Sequence, residues 1–272
     1  MNLLFCFNQN CLGQFICCLK SILRHGGYDH YDVYILHSFL DNELENALRR
    51  NFEAAVSFHL ISMDETTFAN FPTTDRYPSE IYYRLAAPSL LPKELDRILY
   101  LDTDILVINS LRELYETDFE GNCYAACTHT REILTKINRV RLGAKEEAAY
   151  INTGVLLMNL PVLRETIHMT DIFEYAGRQR LFLPDQDILS ALYGDRVKLV
   201  DTLRYNLSDR ILTIYNAEHI RHPIDLEWVR QNGVIIHYCG KNKPWRTNYT
   251  GKLGVFYREQ LQSPGAQGPT CR

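Results

Sequence analysis

The sequence predicts an α/β fold built on a mostly parallel central sheet, with a small C-terminal extension. Over the first half of the chain, short apolar runs rich in β-branched and aromatic residues alternate with longer amphipathic stretches, the pattern of βα units covering both faces of such a sheet. The length, 272 residues, allows one large domain or a domain with an appendage.

Residues 3–7 read as the first strand, and a helix follows over 11–25 that stops at Gly26-Gly27. A strand over 31–37, a helix over 41–51 capped by Asp41 and a strand over 56–61 complete a βαβαβ opening. The polar, Pro-punctuated stretch 62–78 is long for a plain connector and is a candidate lid. A helix is expected over 79–90 with Ser79 as its cap and Pro92 beyond its end, then a short buried strand over 97–101. Further on come a strand-like run at 150–160, a helix at 184–193 closed by Gly194 and a last apolar strand at 233–237. No internal repeat is evident. Residues 263–272 are small and polar and read as a frayed tail, which leaves one domain over 1–262.

Composition removes several classes of function. With 46% hydrophobic and 23% charged residues, the chain is neither disordered nor fibrous. Lys and Arg total 29 against 33 acids, a formal charge of -4, which lacks the basic excess that drives nucleic-acid binding. No apolar run approaches the roughly 18–20 residues that cross a bilayer. The first residues carry no basic segment and place Asn8, Gln9 and Asn10 where a signal peptide stays apolar, so a cytoplasmic protein is expected. Lys252, Arg258 and nearby aromatics offer peripheral contact with the inner face of a membrane, against the plainer reading of a solvated face. Eight cysteines without a CxxC pair read as buried free thiols rather than a disulfide set or a zinc site.

The chemistry concentrates where strand 97–101 ends in Asp102-Thr103-Asp104. Two acids one residue apart on extended backbone point to one side. Like charges that close cost free energy unless a cation satisfies them, so Asp102 and Asp104 suggest Mg²⁺ or Mn²⁺; the plain alternative is a pair of loop acids in water. In open α/β sheets ligands lie beyond the carboxyl ends of the strands, and such an ion completes its shell with phosphate oxygens and water. No GxGxxG or GxxxxGK segment is present, which argues against a dinucleotide enzyme or a P-loop ATPase.

The segment VIIHYCGKNKPW at 234–245 supplies a third ligand and a cation. His237 follows an apolar strand, Gly240 permits close backbone approach and Lys243 can pair with phosphate. Alone, His237 is better explained as a half-buried histidine with a satisfied ring and Lys241 as a solvated charge, while Trp245 reads as core or interface, with cover for a sugar or base face as its other use.

These residues resemble glycosyltransferase family 8, the group of glycogenin and the lipopolysaccharide α-galactosyltransferases. YYRLAAPSLLP at 82–92, LYLDTDILV at 99–107, YINTGVLLMNL at 150–160, LPDQDILSALYGDRVKLV at 183–200 and IHYCGKNKPW at 236–245 keep the family's order and spacing. The resemblance implies a GT-A type, Rossmann-like nucleotide-diphospho-sugar transferase domain that moves a hexose, glucose or galactose, from a UDP-sugar to a glycan or glycolipid hydroxyl. It also implies retention of configuration and Mn²⁺ or Mg²⁺ as cofactor. By the same resemblance, Asp102, Asp104 and His237 are metal ligands, and Arg84 reaches the donor phosphate or sugar. Asn152 and Gly154 line the sugar pocket, Asp185 and Gln186 act at the sugar itself, and Gly240 and Lys243 close over the diphosphate. Cys6, Asn8, Asn10 and Thr103 complete the implied donor-binding set.

The family commonly ends its first strand in acids that contact uracil and ribose, whereas this chain has Phe7-Asn8-Gln9-Asn10, and Thr153 stands where a smaller residue is frequent. For Asp185 and Asp187 the competing explanation is complementation of a helix dipole beside Pro184. Two other functions fit parts of the pattern: a non-catalytic nucleotide-sugar-binding protein, and a phosphatase of the haloacid-dehalogenase type, whose nucleophile also lies in an acid-x-acid triplet.

Overall fold

A computed structural model of the chain describes residues 1–52, 54–64, 66–74, 78–128 and 132–262; the tail expected at 263–272 lies outside them. In chain order the elements are β1 (Asn2–Cys6), α1 (Leu12–His25), β2 (Tyr31–His37), α2 (Asn42–Phe52), β3 (Val56–Ser62) and α3 (Tyr83–Leu90). Next come β4 (Arg97–Leu101), β5 (Ile105–Val107), α4 (Arg112–Tyr115), β6 (Tyr124–Ala126), α5 (Glu132–Leu142) and β7 (Val155–Asn159). They are followed by α6 (Leu160–Thr166), α7 (Met169–Arg178), α8 (Pro184–Tyr193), β8 (Val197–Leu199) and α9 (Thr202–Tyr205). The last are α10 (Asp209–Glu218), α11 (Leu226–Asn232), β9 (Ile235–His237) and α12 (Gly254–Gln262).

The chain divides into two compact units. The first, made of 1–9, 30–101 and 117–200, holds a seven-stranded sheet in the order β3-β2-β1-β4-β7-β6-β8. The β1–β2, β2–β3, β1–β4 and β6–β8 pairs are parallel, whereas β7 runs antiparallel to both β4 and β6. The expected mostly parallel sheet is present, with one reversed strand inside it. Its residues explain the apolar runs: Leu4, Tyr34, Leu36, Ile98, Tyr100, Leu156 and Met158 enter one core, while Leu3, Phe5, Val33, Ile35, Leu99 and Leu157 are buried between them along the same strands. With both faces covered, each large apolar side chain contributes about 1.5–3 kcal/mol and the strands show no polar alternation.

β1 lies between β2 and β4, so the chain reverses its direction of travel across the sheet there, with Leu3 and Leu4 of β1 paired to Leu99 and Tyr100 of β4. The carboxyl ends of β1 and β4 form the switch point at which ligands bind in open α/β sheets.

Three expectations need adjusting. Ser79 caps nothing: residues Ser79–Tyr82 form a 3₁₀ turn entered from an extended Pro78, and the α-helix begins at Tyr83. The strand expected at 150–160 starts only at Val155, because Asn152 N–H bonds Cys127 O at 2.8 Å and Thr153 O accepts from Arg84. The strand expected from 233 starts at Ile235, because Gly233 N–H closes the preceding helix on Val229 O at 2.8 Å. In the candidate lid, Phe68 and Phe71 are buried against Tyr82 and Tyr83, which ties that part of the segment to the core.

Among the described residues, the second unit comprises 10–29, 102–116 and 201–262. β5 and β9 pair antiparallel, and Leu207 adds itself in parallel to Ile236 of β9. Leu106, Leu207, Leu212, Val229, Ile236, Tyr238, Leu253, Phe256 and Tyr257 make its core. Three of its helices start at side-chain caps: Asp201 for α9, Ser208 for α10 and Asp225 for α11. After α1, Gly27 takes φ +83°, and a Cβ there would lie 2.5 Å from Ser110 Oγ, so only glycine fits the turn. Lys252 and Arg258 are exposed, but Phe256 and Tyr257 belong to this core. The described cysteines are free thiols, and among the described residues no helix is long and apolar enough to cross a membrane.

Candidate active site

The chemistry expected from sequence falls into two clusters, one in each unit. The second unit holds the acid pair. β4 ends at Leu101, and Asp102-Thr103-Asp104 is the turn into β5. Register then does the rest: Ile105 pairs with His237, and Tyr238 N–H donates to Asp104 O at 3.0 Å. His237 Nε2 lies 3.2 Å from Asp104 Oδ1 and 3.7 Å from Asp102 Oδ2, and one ligand atom from each of the three residues lies within 4.8 Å of the others.

A small divalent cation with octahedral bonds of roughly 2.1 Å sets neighbouring ligand atoms about 3 Å apart and opposite ones about 4 Å apart. The two His237 separations fall in that span, and two carboxylates with one imidazole suit a divalent ion such as Mn²⁺. His237 Nδ1 is 2.9 Å from Asn206 Oδ1. An amide oxygen only accepts, so Nδ1 carries a proton and Nε2 is the nitrogen turned toward the acids.

Lys243 Nζ sits 2.5 Å from Asp104 Oδ2 and 2.9 Å from Tyr238 O, over the face of Trp245 at 5.4 Å. Burial would raise the Asp104 carboxyl, but His237 and Lys243 outweigh it and hold the group well below the usual carboxylate range. Thr103, between the acids, is hydrogen-bonded to the Cys11 thiol, which burial pushes up. Gly240, on the same segment as Lys243, takes φ +93° with nothing within 4 Å of where a Cβ would sit; glycine is needed there for conformation rather than space.

The first unit holds the other cluster, at the start of α8. Asp185 Oδ2 accepts from Thr153 Oγ1 at 2.7 Å and lies 3.2 Å from Arg84 Nη1. The Arg84 guanidinium also donates to Ile81 O and Thr153 O, both at 2.9 Å, and stacks 4.2 Å above the Tyr100 ring. Arg84, Thr153, Asp185 and Gln186 are each less than 8% exposed, so this is a dry network with its charges matched. Asn152 Nδ2 donates to Gln186 Oε1 at 3.3 Å, while its Oδ1 accepts from Gly154 N–H at 3.1 Å. The reach of Arg84 expected toward the donor is therefore spent, at least in part, on orienting Asp185.

Asp187 is different. Its carboxylate takes both ends of Arg141 at 2.7 and 3.0 Å, the Tyr150 hydroxyl at 2.7 Å and Phe182 N–H at 2.7 Å, with no exposure to solvent. It is a structural anchor for the entry to α8. Of the remaining candidates, Cys6 is buried at the end of β1, Asn8 is half-buried just beyond it, and Asn10 is exposed in the 3₁₀ turn Gln9–Cys11.

Sequence reasoning missed Asn206, Tyr100 and Arg141. Tyr100 was readable as an aromatic beside the acid triplet on the same strand. Asn206 carried no local signal, because its role depends on the long-range pairing of Leu207 with β9.

Residues 2–249 match the model of the family described as "Glycosyl transferase family 8". The chain belongs to glycosyltransferase family 8. It is 26% identical over 235 residues to a lipopolysaccharide 1,2-glucosyltransferase of Escherichia coli, covering 84% of this chain and 68% of that protein. A lipopolysaccharide 1,3-galactosyltransferase of Salmonella typhimurium is 25% identical over 247 residues, with the same coverage of 84% and 68%. Among solved structures, the galactosyltransferase LgtC in complex with donor and acceptor sugar analogues matches with a TM-score of 0.80 at 25% identity, covering 96% of this chain and 95% of that one. The expected α/β, GT-A type fold and the family are both established by these matches.

Proposed function

We propose that this family 8 transferase moves glucose or galactose from a UDP-sugar to a glycan or glycolipid hydroxyl, with retention of configuration and with Mn²⁺ or Mg²⁺ held by Asp102, Asp104 and His237. One observation carries the reading: ligand atoms of those three residues lie within 4.8 Å of one another, although His237 is 133 or more positions away in sequence from both acids. The names of the two lipopolysaccharide relatives support glucose and galactose as the sugars to test first.

When bound, the divalent ion supplies positive charge for the departing diphosphate. The chain's own residues do the remainder. Lys243 trades its Asp104 partner for a phosphate oxygen, and Gly240 lets the backbone of that segment close in. Such charge stabilisation at the leaving group contributes several kcal/mol. At the sugar, Asp185 and Gln186 stabilise positive charge at the anomeric carbon. Gln186 carries an amide, a poor nucleophile, which favours front-face attack by the acceptor over a covalent glycosyl intermediate. Thr153, Arg84 and Tyr100 hold Asp185, and Asn152 holds Gln186. Asn8 and Asn10 offer amides to the base and ribose without the charge of the family's usual acids.

A donor screen tests the reading. Nucleotide release from a panel of nucleotide-hexoses is expected with UDP-glucose or UDP-galactose and Mn²⁺, and is expected to vanish with chelator or in Asp104→Ala. Unchanged turnover in that variant overturns the metal site. Tight UDP-sugar binding without transfer or hydrolysis replaces the enzyme with a nucleotide-sugar-binding protein.

A further inference from the structure

We infer that Asn206 is a positioning residue for the metal centre: its side-chain oxygen selects the tautomer and ring orientation in which His237 presents Nε2 to the cation shared with Asp102 and Asp104. The inference rests on the metal reading above and adds a residue that neither the acid triplet nor the His237 segment contains.

Three observations lead to it. First, Asn206 is fully buried, with its Oδ1 2.9 Å from His237 Nδ1. A buried amide that merely filled space would be a costly choice over leucine, because every unpaired polar atom there carries a desolvation penalty. Secondly, the position of Asn206 is fixed by backbone on both sides. Its N–H closes α9 on Thr202 O at 3.1 Å, Leu207 N–H donates to Ile235 O at 3.0 Å and His237 N–H donates to Leu207 O at 2.8 Å. Ser208 then starts α10 with its hydroxyl accepting from Ile211 N–H. The residue facing the imidazole is thus delivered by the same strand pairing that delivers the imidazole.

Thirdly, the chemistry is directional. A neutral imidazole carries one N–H, and whichever nitrogen has it cannot bind a cation. With Asn206 Oδ1 accepting at Nδ1, a proton is kept there and Nε2 is the nitrogen aimed at Asp104 Oδ1 and Asp102 Oδ2, 3.2 and 3.7 Å away. Without that acceptor, the proton on Nε2 would make a good hydrogen bond to Asp104 Oδ1, and the two acids would stabilise the tautomer that excludes metal. The neighbouring acids favour the wrong nitrogen, and Asn206 opposes them. Hydrogen-bond partners of this kind, beyond the direct ligands, typically change metal affinity by roughly 10- to 100-fold.

The test is Mn²⁺ binding to the full chain without any sugar nucleotide, followed by the paramagnetic signal of free Mn²⁺, in wild type, Asn206→Leu, Asn206→Asp, Asp104→Ala and His237→Ala. Thermal unfolding of the metal-free proteins checks that each is folded. The expected result is a weakening of roughly 10- to 100-fold in Asn206→Leu, with wild-type or tighter binding in Asn206→Asp, whose carboxylate still accepts from Nδ1. In the metal-free wild type, nitrogen chemical shifts of His237 should report a proton on Nδ1, and in Asn206→Leu its absence there. Wild-type Mn²⁺ affinity and an unchanged tautomer in a folded Asn206→Leu overturn the inference while leaving the metal site standing. Unchanged binding in both Asp104→Ala and His237→Ala instead overturns the metal site itself. If Asn206→Leu does not fold, loss of binding in Asn206→Ala that Asn206→Asp does not share decides in favour, and equal loss in both decides against.

Discussion

Lys243 and Asp104 are joined at 2.5 Å between Nζ and Oδ2, so one ligand of the proposed metal triad carries a protein cation before any metal arrives. The same Asp104 faces His237 through its other oxygen. Lys243 and a divalent ion compete for one carboxylate, and two positive charges a few ångströms apart repel by several kcal/mol at an effective dielectric near 20. Lys243→Ala is therefore expected to bind Mn²⁺ more tightly in the absence of donor, by about tenfold. The same variant is expected to turn over more slowly, by about 10²-fold, because the leaving diphosphate loses its cation. Binding and kcat move in opposite directions. A variant in which both fall together would mean that Lys243 simply holds the segment in place.

The two acids of α8, Asp185 and Asp187, are separable by experiment. Asp187 has five donors around a fully buried carboxylate. Removing it strands Arg141 and the Tyr150 hydroxyl, a loss of about 3–5 kcal/mol, or a fall in Tm on the order of 10 °C. Asp187→Ala is expected to show that fall with kcat of the folded fraction little changed. Asp185→Asn keeps an acceptor for Thr153 but removes the charge, and kcat of its folded fraction is expected to fall by about 10²- to 10³-fold. Calorimetry combined with active-site-normalised rates checks both. Loss of kcat in Asp187→Ala without loss of Tm would return that acid to the chemistry.

Much of this was legible in the residues. β2 and β4 begin and end where the sequence places them, because strands covered on both faces carry mostly apolar residues, with polar ones near their ends. The acid triplet was equally plain, since its two carboxylates are near neighbours in sequence. What could not be read was what those groups lean on. Asn206 meets His237 only through the alignment of Leu207 beside β9, and Arg84 meets Asp185 across 101 positions. Such partners are chosen by packing, and a lone Asn in a polar connector looks like any turn residue. The strand expected at 150–160 starts late for a related reason: Asn152 and Thr153 leave the sheet to serve Gln186 and Asp185, and tertiary hydrogen bonds outweighed β-propensity.

Gly240 gives a prediction about conformation without crowding. Nothing lies within 4 Å of the Cβ that Gly240→Ala would add, and the strain comes from φ +93°. Holding a non-glycine residue at positive φ costs roughly 1–2 kcal/mol. The segment is expected to relieve that strain by shifting, which moves Lys243. A rise in donor KM of roughly 5- to 30-fold is the matching outcome, with Tm nearly unchanged because the position is exposed. Steady-state kinetics with varied donor decides it. A large Tm loss with unchanged KM would place the role of Gly240 in folding.

The buried and half-buried tyrosines make stability fall at alkaline pH. Burial pushes Tyr175 and Tyr193 each up to about 12, and burial together with the neighbouring Asp187 carries Tyr150 higher still. An unfolded tyrosine ionises near pH 10. Between that value and the raised one, the folded chain holds more protons than the unfolded chain, so stability falls as pH rises. The contribution is fully present below about pH 10 and is lost through pH 12. In a titration followed by tyrosinate absorbance, the exposed tyrosines are expected to ionise near pH 10 with the helical circular dichroism intact. The buried ones should ionise only in step with its loss. In denaturant all 17 tyrosines should titrate together near pH 10. Complete ionisation near that pH with the circular dichroism unchanged would mean that these hydroxyls are not shielded by the fold.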